Sequence, residues 1–507
     1  MSTHSSLHER AATALTRRGF LAASSATGAA LAGCSGTVTF AAPPRPAPPA
    51  QASPAPRARP SAVGWEEVPR ILERIVAPTF PARDFRITDF GAVAGSDASP
   101  AIASAIEACR AAGGGRVVVP PGEFVTGPIV LASNVNLHVS EGATLKFVTE
   151  PARYPRVFTR WEGIECMNYC PLVYAFEQTN VAVTGKGTLD GQAARDNWWA
   201  WKLSHWKETG QDLPEDAQRP DARALIAMGE KGVPVAERVF GAGHKLRPSF
   251  FQPYRCKNVL VEGVTIVRSP MWEVHPVLCE NVTVRDVTIR SHGPNNDGCD
   301  PESCRDVLIE RCVFDVGDDC IAIKSGKNDD GRRVNVASEN ILVRNSTFED
   351  GHGGVVLGSE CSGHIRNVFV ENCTMDSPNL ERMLRFKNNA VRGGVLENVF
   401  VRNVRVGTVA EAVLTIDLLY EEGANGRHVP VVRNVRIDSV TATAAPRVMY
   451  VVAFPGAVID GIRFADSTFT NVESTEVLAV PGSVEFHNVV IEPRNKPRSL
   501  SSRPGPM

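Results

Sequence analysis

Between residues 258 and 407 short runs alternate apolar and polar positions, and each run opens on nearly the same phrase. "NVLVEGVTIVRS" starts at Asn258, "NVTVRDVTIRSH" at Asn281, "DVLIERCVFDVG" at Asp306, "NILVRNSTFEDG" at Asn340, "NVFVENCTMDS" at Asn367 and "NVFVRNVRVG" at Asn398. The starts lie 23, 25, 34, 27 and 31 residues apart. Period-two alternation predicts one or two short strands per unit, joined at an Asn or Gly turn. No unit buries its apolar face alone, so successive units must stack. Periods of this size, with strands and no intervening helices, predict a right-handed parallel β-helix; propeller blades run longer, ~40–45 residues. Asn at matching turn positions fits a stacked side-chain ladder. Helix signals are confined to the start. Trp65, Val68, Ile71, Leu72, Ile75 and Val76 form a helical stripe. Ser99-Pro100 supplies an N-cap and first-turn proline for a second helix, with Ile102, Ile106 and Cys109 inward and Gly113-Gly114-Gly115 as its stop. The fold class expected is all-β: a single-stranded right-handed parallel β-helix over residues 65–493 with a short N-terminal helical cap.

The ends break this pattern. "TRRGFLAASSATGAALAGC" sets Arg17-Arg18 before an apolar run from Phe20 to Gly33, and resembles a twin-arginine export signal. The run is too short and too rich in Ala, Ser and Gly to span a membrane. It ends in "LAGC", which resembles a lipobox with Cys34 as the lipidated residue; cleavage after "TFA" at Ala41 is the rival. Residues 35–64 then form a Pro/Ala-rich tether, and residues 494–507 a polar tail. Together these imply an exported protein, periplasmic or anchored in the envelope through Cys34, and secreted if not lipidated.

Composition narrows the partners. With 43% apolar and 22% charged residues and a net charge of −2, the chain is of soluble globular type and carries no basic excess for nucleic acid. An anionic substrate would need a local cationic cluster. Of 12 cysteines, eleven follow Cys34 and none forms a C-x-x-C pair, so zinc-ligand spacing is absent. Most sit in apolar runs and read as buried thiols, which folding in a reducing cytosol before export also favours over disulfides.

Polar residues interrupt the strands at one place in consecutive units. "FDVGDDCIAIKSG" carries Asp318 and Asp319; one repeat earlier "PNNDGCD" carries Asp297 and Asp300; one repeat later "EDGHGG" carries His352. The next unit, "RMLRFKNNAVRGG", carries Arg382, Arg385, Lys387 and Arg392. In a solenoid, residues one coil apart are spatial neighbours, so these breaks predict a cleft. Crowded carboxylates suit glycosidic hydrolysis, which needs one protonated carboxyl and one ionised carboxylate. Mutual repulsion raises the pKa of one of them. Arg385 and Lys387 would hold a substrate carboxylate. Adjacent strand residues face opposite ways, so presenting both Asp318 and Asp319 requires a bend, which Gly317 makes easy.

Four of these segments, in order, resemble the polygalacturonase family, glycoside hydrolase family 28: "PNNDGCD" its N-T-D-G-x-D, "VGDDCIAIKSG" its G-D-D-C-I-A-[IV]-K-S-G, "GHGG" its G-H-G and "RFK" its R-I-K. The likeness runs over most of residues 84–440, through "ITDFGA", "PPGEFVTGPIVLASNVNLHVSEGATLKF" and "GKGTLDGQ". The departures are Asn296 for Thr and Phe386 for Ile. The resemblance implies a pectin-lyase-like solenoid that hydrolyses α-1,4-galacturonosyl bonds with inversion, as a monomer, without metal or other cofactor. It implies Asp318 as general acid, Asp297 and Asp319 as activators of water, His352 as tuner of the acid, Arg385 and Lys387 as carboxylate ligands, and Tyr420 as a sugar-subsite tyrosine. Asp300 stays open between a turn and a supporting role, and Arg382 and Arg392 read as solvent-facing or structural. The substrate class extends to rhamnogalacturonan or xylogalacturonan; rival functions are a calcium-dependent pectate lyase and a non-catalytic carbohydrate-binding β-helix. The block from Arg153 to Phe251, rich in Trp and Tyr, resembles exo-acting members. It would form a wall closing one end of the groove, its rings packing on sugar or in the insertion's own core.

Overall fold

Eight asparagines at matching turns become one physical feature. Asn134, Asn180, Asn258, Asn281, Asn340, Asn367, Asn398 and Asn434 all adopt left-handed backbone, where Asn is tolerated better than most residues. Within this column each amide of Asn180, Asn258, Asn281, Asn367, Asn398 and Asn434 donates to the asparagine one coil before it, at 2.8–3.0 Å. Asp306 holds the remaining rung. It cannot donate, and instead accepts from Asn340 at 2.9 Å and from Arg74 at 2.8 and 3.0 Å.

These turns belong to a computed structural model that describes residues 63–202, 216–474 and 484–494. The export signal, Cys34, most of the tether and nearly all of the tail lie outside the described residues. Strand follows strand in parallel register from coil to coil: Val259, Val282, Val307, Ile341, Val368, Val399 and Val435 are successive partners and line the interior. A second face stacks seven short strands, and a third carries the strands described below. The result is a right-handed single-stranded parallel β-helix, the expected fold. Eleven cysteines in it are buried free thiols; Cys256, Cys279 and Cys304 stack in a column that Ser338 continues.

The helices differ from expectation in three ways. Helix α1 (Val68–Arg74) covers no coil end: Val68 and Ile71 pack on Leu308, Leu342, Phe369 and Phe400 along the outer flank. The cap is α2 (Ser99–Ala111), whose Ala101, Ile102, Ala105, Ile106 and Cys109 join the main core at the first strands. Ser99 does not cap α2; Asp97 accepts from its N–H at 2.9 Å and its hydroxyl at 2.5 Å. Two further helices, α3 (Arg219–Glu230) and α4 (Asn328–Val334), carry no signal strong enough to compete with the strand repeats. The seven residues of α4 help to explain the long 34-residue step between Asp306 and Asn340.

The insertion is built from an antiparallel hairpin, Arg156–Trp161 with Ile164–Tyr169, together with α3. Trp161, Tyr169, Trp198 and Trp201 are buried in hydrophobic cores, so these rings pack the insertion and do not face sugar. Trp206 lies outside the described residues.

Candidate active site

The turn that carries Asp297 is tied by Asn296. Fully buried, its side chain accepts from Ser291 and from the Gly293 N–H, both at 2.7 Å, and donates to the Ser269 and Met271 carbonyls at 3.1 and 3.2 Å. From the insertion, the buried Arg247 donates to the Pro294 carbonyl and to Asn295, both at 2.7 Å. One coil on, the chain bends at residues 317–318 before strand β1 (Asp319–Ile323). Gly317 is needed there for contact rather than for an unusual φ: a Cβ would lie 2.8 Å from the Gly293 carbonyl oxygen. Strands β2 (Gly353–Leu357), β3 (Arg382–Lys387) and β4 (Ala412–Asp417) follow in register, Val356 beside Arg385 and Arg385 beside Thr415.

This stacking gathers all seven candidate residues. Asp297, Asp318 and Asp319 each present a carboxylate oxygen within 4.8 Å of the others. His352 Nδ1 lies 3.1 Å from Asp318 Oδ1. Lys387 Nζ donates to Asp319 Oδ2, and Arg385 is 3.8 Å from Asp319 Oδ1. Tyr420 faces both cations, 5.6 Å from the Arg385 guanidinium and 5.4 Å from Lys387 Nζ to the ring centre. Exposure divides the acids. The Asp318 side chain is 19% and that of His352 41% exposed, whereas Asp297 and Asp319 are recessed.

Comparison with known proteins gives the family. The family described as "Glycosyl hydrolases family 28" matches residues 237–480. A solved structure of a hyperthermoactive exopolygalacturonase from Thermotoga maritima is 45% identical, covering 84% of this chain and 96% of that one with a TM-score of 0.80. The chain belongs to glycosyl hydrolases family 28. Curated relatives are more distant. A probable polygalacturonase of Vitis vinifera is 27% identical over 67% of this chain and 64% of its own length. An exo-poly-alpha-D-galacturonosidase of Dickeya chrysanthemi is 27% identical over 66% and 57%. The chain thus spans about three-fifths of the length of these two relatives.

The electrostatics sort the family 28 carboxylates unequally. Asp297 is pushed well above the carboxylate range by burial and by the charges of Asp300 and Asp318. Burial also acts on Asp318, but the His352 hydrogen bond and charge, with Lys387 and Lys324, outweigh it and hold that carboxyl well below its usual value. The same bond lifts His352 to about 9. In the substrate-free site the raised carboxyl is therefore Asp297, and the proton beside Asp318 resides on the imidazole.

Several further residues support the reacting carboxylates. Lys324, inside the "CIAIKSG" strand, is buried 3.5 Å from both Asp297 and Asp300 and 3.4 Å from Glu360, with its ammonium 4.2 Å above the Trp272 ring. Asp300 is thus a supporting group, pushed by burial up to about 8 against the pull of Lys324. Arg382 and Arg392 are not solvent-facing. Arg382 binds Glu381, Glu411 and the His352 carbonyl; Arg392 binds Asn328, Glu421 and Glu422. Phe386 points into the core, so its exchange for Ile changes packing alone. The three-carboxylate spacing would also suit a cation, but Lys324 and Lys387 already supply positive charge there.

Proposed function

We propose that this chain is an inverting glycoside hydrolase that cleaves α-1,4-galacturonosyl bonds of pectin-derived oligogalacturonides from a chain end. The observation that carries the reading is the Asp297–Asp318–Asp319 cluster, with His352 on its exposed side and Arg385 and Lys387 on the adjoining coil. Asp318 is the acid that reaches the leaving oxygen, being the most exposed of the three. Its proton comes from the pair it forms with His352. When substrate expels water and brings its own carboxylate, an ion pair of Asp318 and imidazolium loses solvation, and a neutral carboxyl beside neutral imidazole is favoured instead.

Asp297 and Asp319 act on water. Their Oδ1 atoms are buried and make no hydrogen bond with other described residues. The compact spacing is closer to that of retaining pairs, ~5–5.5 Å, than to the ~6.5–9.5 Å usual for inversion. Recession decides between them: Asp319 is fully buried and held by Lys387 and Arg385, so a water can bridge it to the anomeric carbon where its own oxygen cannot. Arg385, whose Nε has no hydrogen-bond partner among the described residues, is the better placed of the two cations for a uronate carboxylate, because Lys387 is already committed to Asp319.

Action at a chain end is supported by the seat of the insertion. Trp199 lies against Gly293 so closely that no side chain would fit there, and Glu162 at the hairpin tip reaches Lys327 at 3.3 Å. The wall therefore stands over the coils that carry the carboxylates, while the groove continues past Arg385. The likeness to the Thermotoga maritima exopolygalacturonase points the same way. We also propose export through the Arg17-Arg18 signal, a lipid tether at Cys34 to the cell envelope, and a monomeric catalytic body.

The test is a time course on polymeric pectate, following viscosity beside reducing ends, with the product anomer read by proton NMR. The reading expects early small sugars, a slow fall in viscosity and a β-configured product. A rapid early viscosity drop would refute chain-end action, an α-product would refute inversion, and cleavage of rhamnogalacturonan or xylogalacturonan alone would move the substrate.

A further inference from the structure

Beyond the cationic pair on β3, the same outward column of side chains enters a second hollow. Arg385 pairs with Thr415, and Thr415 with Tyr450 on the next strand, Thr441–Val452. Their neighbours Leu384, Leu414 and Met449 point into the core, so this column faces out. Around Thr415 and Tyr450 lies a cavity of about 380 Å³, lined also by Glu411, Pro446 and Arg447. That volume falls within the ~300–1,000 Å³ typical of small-molecule sites.

Three features of this cavity are unexplained by folding. Thr415 is only 4% exposed, and its buried hydroxyl has no hydrogen-bond partner among the described residues. A buried unsatisfied hydroxyl is unfavourable in the free protein, and a ligand would remove that penalty. Arg447 is exposed and forms no ion pair among the described residues; its guanidinium rests 5.5 Å from the Tyr450 ring centre. Tyr450 itself exposes 37% of its surface, a large aromatic face beside an uncommitted cation. Glu411, the one acid in the lining, is bound by Arg382 and so does not repel an anion strongly.

We propose that this cavity binds a second uronic acid residue of the leaving chain, one sugar beyond the residue held at Arg385. Arg447 pairs with its carboxylate, Tyr450 packs against the pyranose face, and the Thr415 hydroxyl donates to a sugar oxygen. The placement fits the chain direction. The insertion stands over the coils that carry the carboxylates, and two strand steps of ~4.8 Å separate Arg385 from Tyr450 on the open side. This inference rests on the hydrolase reading above and adds where the polymer beyond the cleaved bond is gripped.

The experiment compares kcat/KM on digalacturonate and trigalacturonate for the full chain and three variants. Wild type is expected to favour the trimer. Arg447→Ala should cut the trimer-to-dimer ratio about tenfold, a charge-assisted contact of ordinary strength, mostly through KM. Arg447→Lys should recover part of the ratio, which a merely structural role would not predict. Thr415→Val should lower the ratio as well, yet leave Tm unchanged or higher, because it removes an unsatisfied polar atom from the free protein. An unchanged ratio in Arg447→Ala, with wild type cleaving both substrates, would overturn this subsite and leave the hydrolase reading intact. Failure of wild type on both substrates would sink the hydrolase reading, and the subsite with it.

Discussion

Replacing His352 by Gln keeps a neutral hydrogen-bond donor beside Asp318 and removes the positive charge. In wild type one proton is shared across the 3.1 Å contact, and the imidazole holds it with a pKa raised to about 9. Acid catalysis needs that proton somewhere on the pair, so the alkaline limb of the pH–rate profile should follow the pair's loss of it, near 9. In the variant the proton can reside only on Asp318. A free carboxyl titrates near ~3.9, raised here by burial and lowered by Lys387 and Lys324, which the variant keeps. Loss of a charge-assisted bond, ~1.5–3 kcal/mol, corresponds to roughly one to two pKa units on the carboxyl. Together these move the alkaline limb acidward by at least about two units, while the rate on the acid side of the profile changes far less. The assay is kcat/KM on trigalacturonate from pH 4 to 10, with circular dichroism to confirm folding. The stability contributed by the raised imidazole is complete below the ordinary histidine value of ~6.5 and is lost as pH rises through about 9, while that of the lowered Asp318 carboxyl is complete above ~3.9 and is lost as pH falls. A folded variant whose alkaline limb stays within half a unit of wild type would refute the shared-proton reasoning.

Asp318→Asn should abolish hydrolysis, by ~10²–10⁴-fold or more, while thermal stability and substrate binding change little; a folded variant with over half the activity contradicts its role as acid. Arg385→Gln should weaken turnover of uronate oligomers by ~2–5 kcal/mol of transition-state stabilisation but spare carboxyl-reduced ones. Lys387→Ala should impair both, since it also strips Asp319 of its cation; equal losses in the two variants on the two substrates would show that the cations share one task. Lys324→Met should destabilise the fold, by up to ~3–5 kcal/mol, because it takes from the buried Glu360 carboxylate one of its cations, with Lys327 and Arg392 remaining. Adding Glu360→Gln should restore Tm without restoring activity. If the double variant regains turnover, Lys324 is structural only.

The coil stack was legible because its signal is redundant: each valine column and each ladder asparagine repeats the same instruction, so one weak rung, such as Asp306, does not obscure it. The carboxylates and His352 were legible for a related reason, since polar residues that interrupt a core strand must be matched by something on the next coil. Lys324 was not. A lysine two residues beyond Ala322 in an apolar strand reads as an outward surface charge, and only the third dimension brings Asp297, Asp300 and Glu360 around it. The insertion misled differently. Its aromatics advertise ring faces, but a segment outside the repeat must bury apolar surface to stay folded: Tyr169, Trp198 and Trp201 join the main core, and Trp161 packs in a smaller separate one. The hydrogen bonds that matter there come from Arg247 and Glu162, which no pattern distinguishes from other surface charges.

The position of Lys324 bears on how recessed carboxylates can act on water at all. Burial and two neighbouring acids drive Asp297 toward the neutral form, in which it cannot take a proton. Lys324 opposes that drive, as it does for Asp300, but its charge is divided among three carboxyls. Glu360 is held well below the carboxylate range despite its burial, by Lys324, Lys327 and Arg392, while Asp300 is the strongest of the charges that hold the ammonium. What reaches Asp297 is a partial field, enough to lower its proton affinity without fixing it as a permanent anion. A carboxyl poised in this way can yield its proton when Asp318 loses its own charge on becoming a neutral acid, because one of the repelling neighbours then disappears. Protonation of the acid and ionisation of the base are thereby coupled in the favourable direction, and the proton that leaves one side of the cluster is the condition for the other side to work.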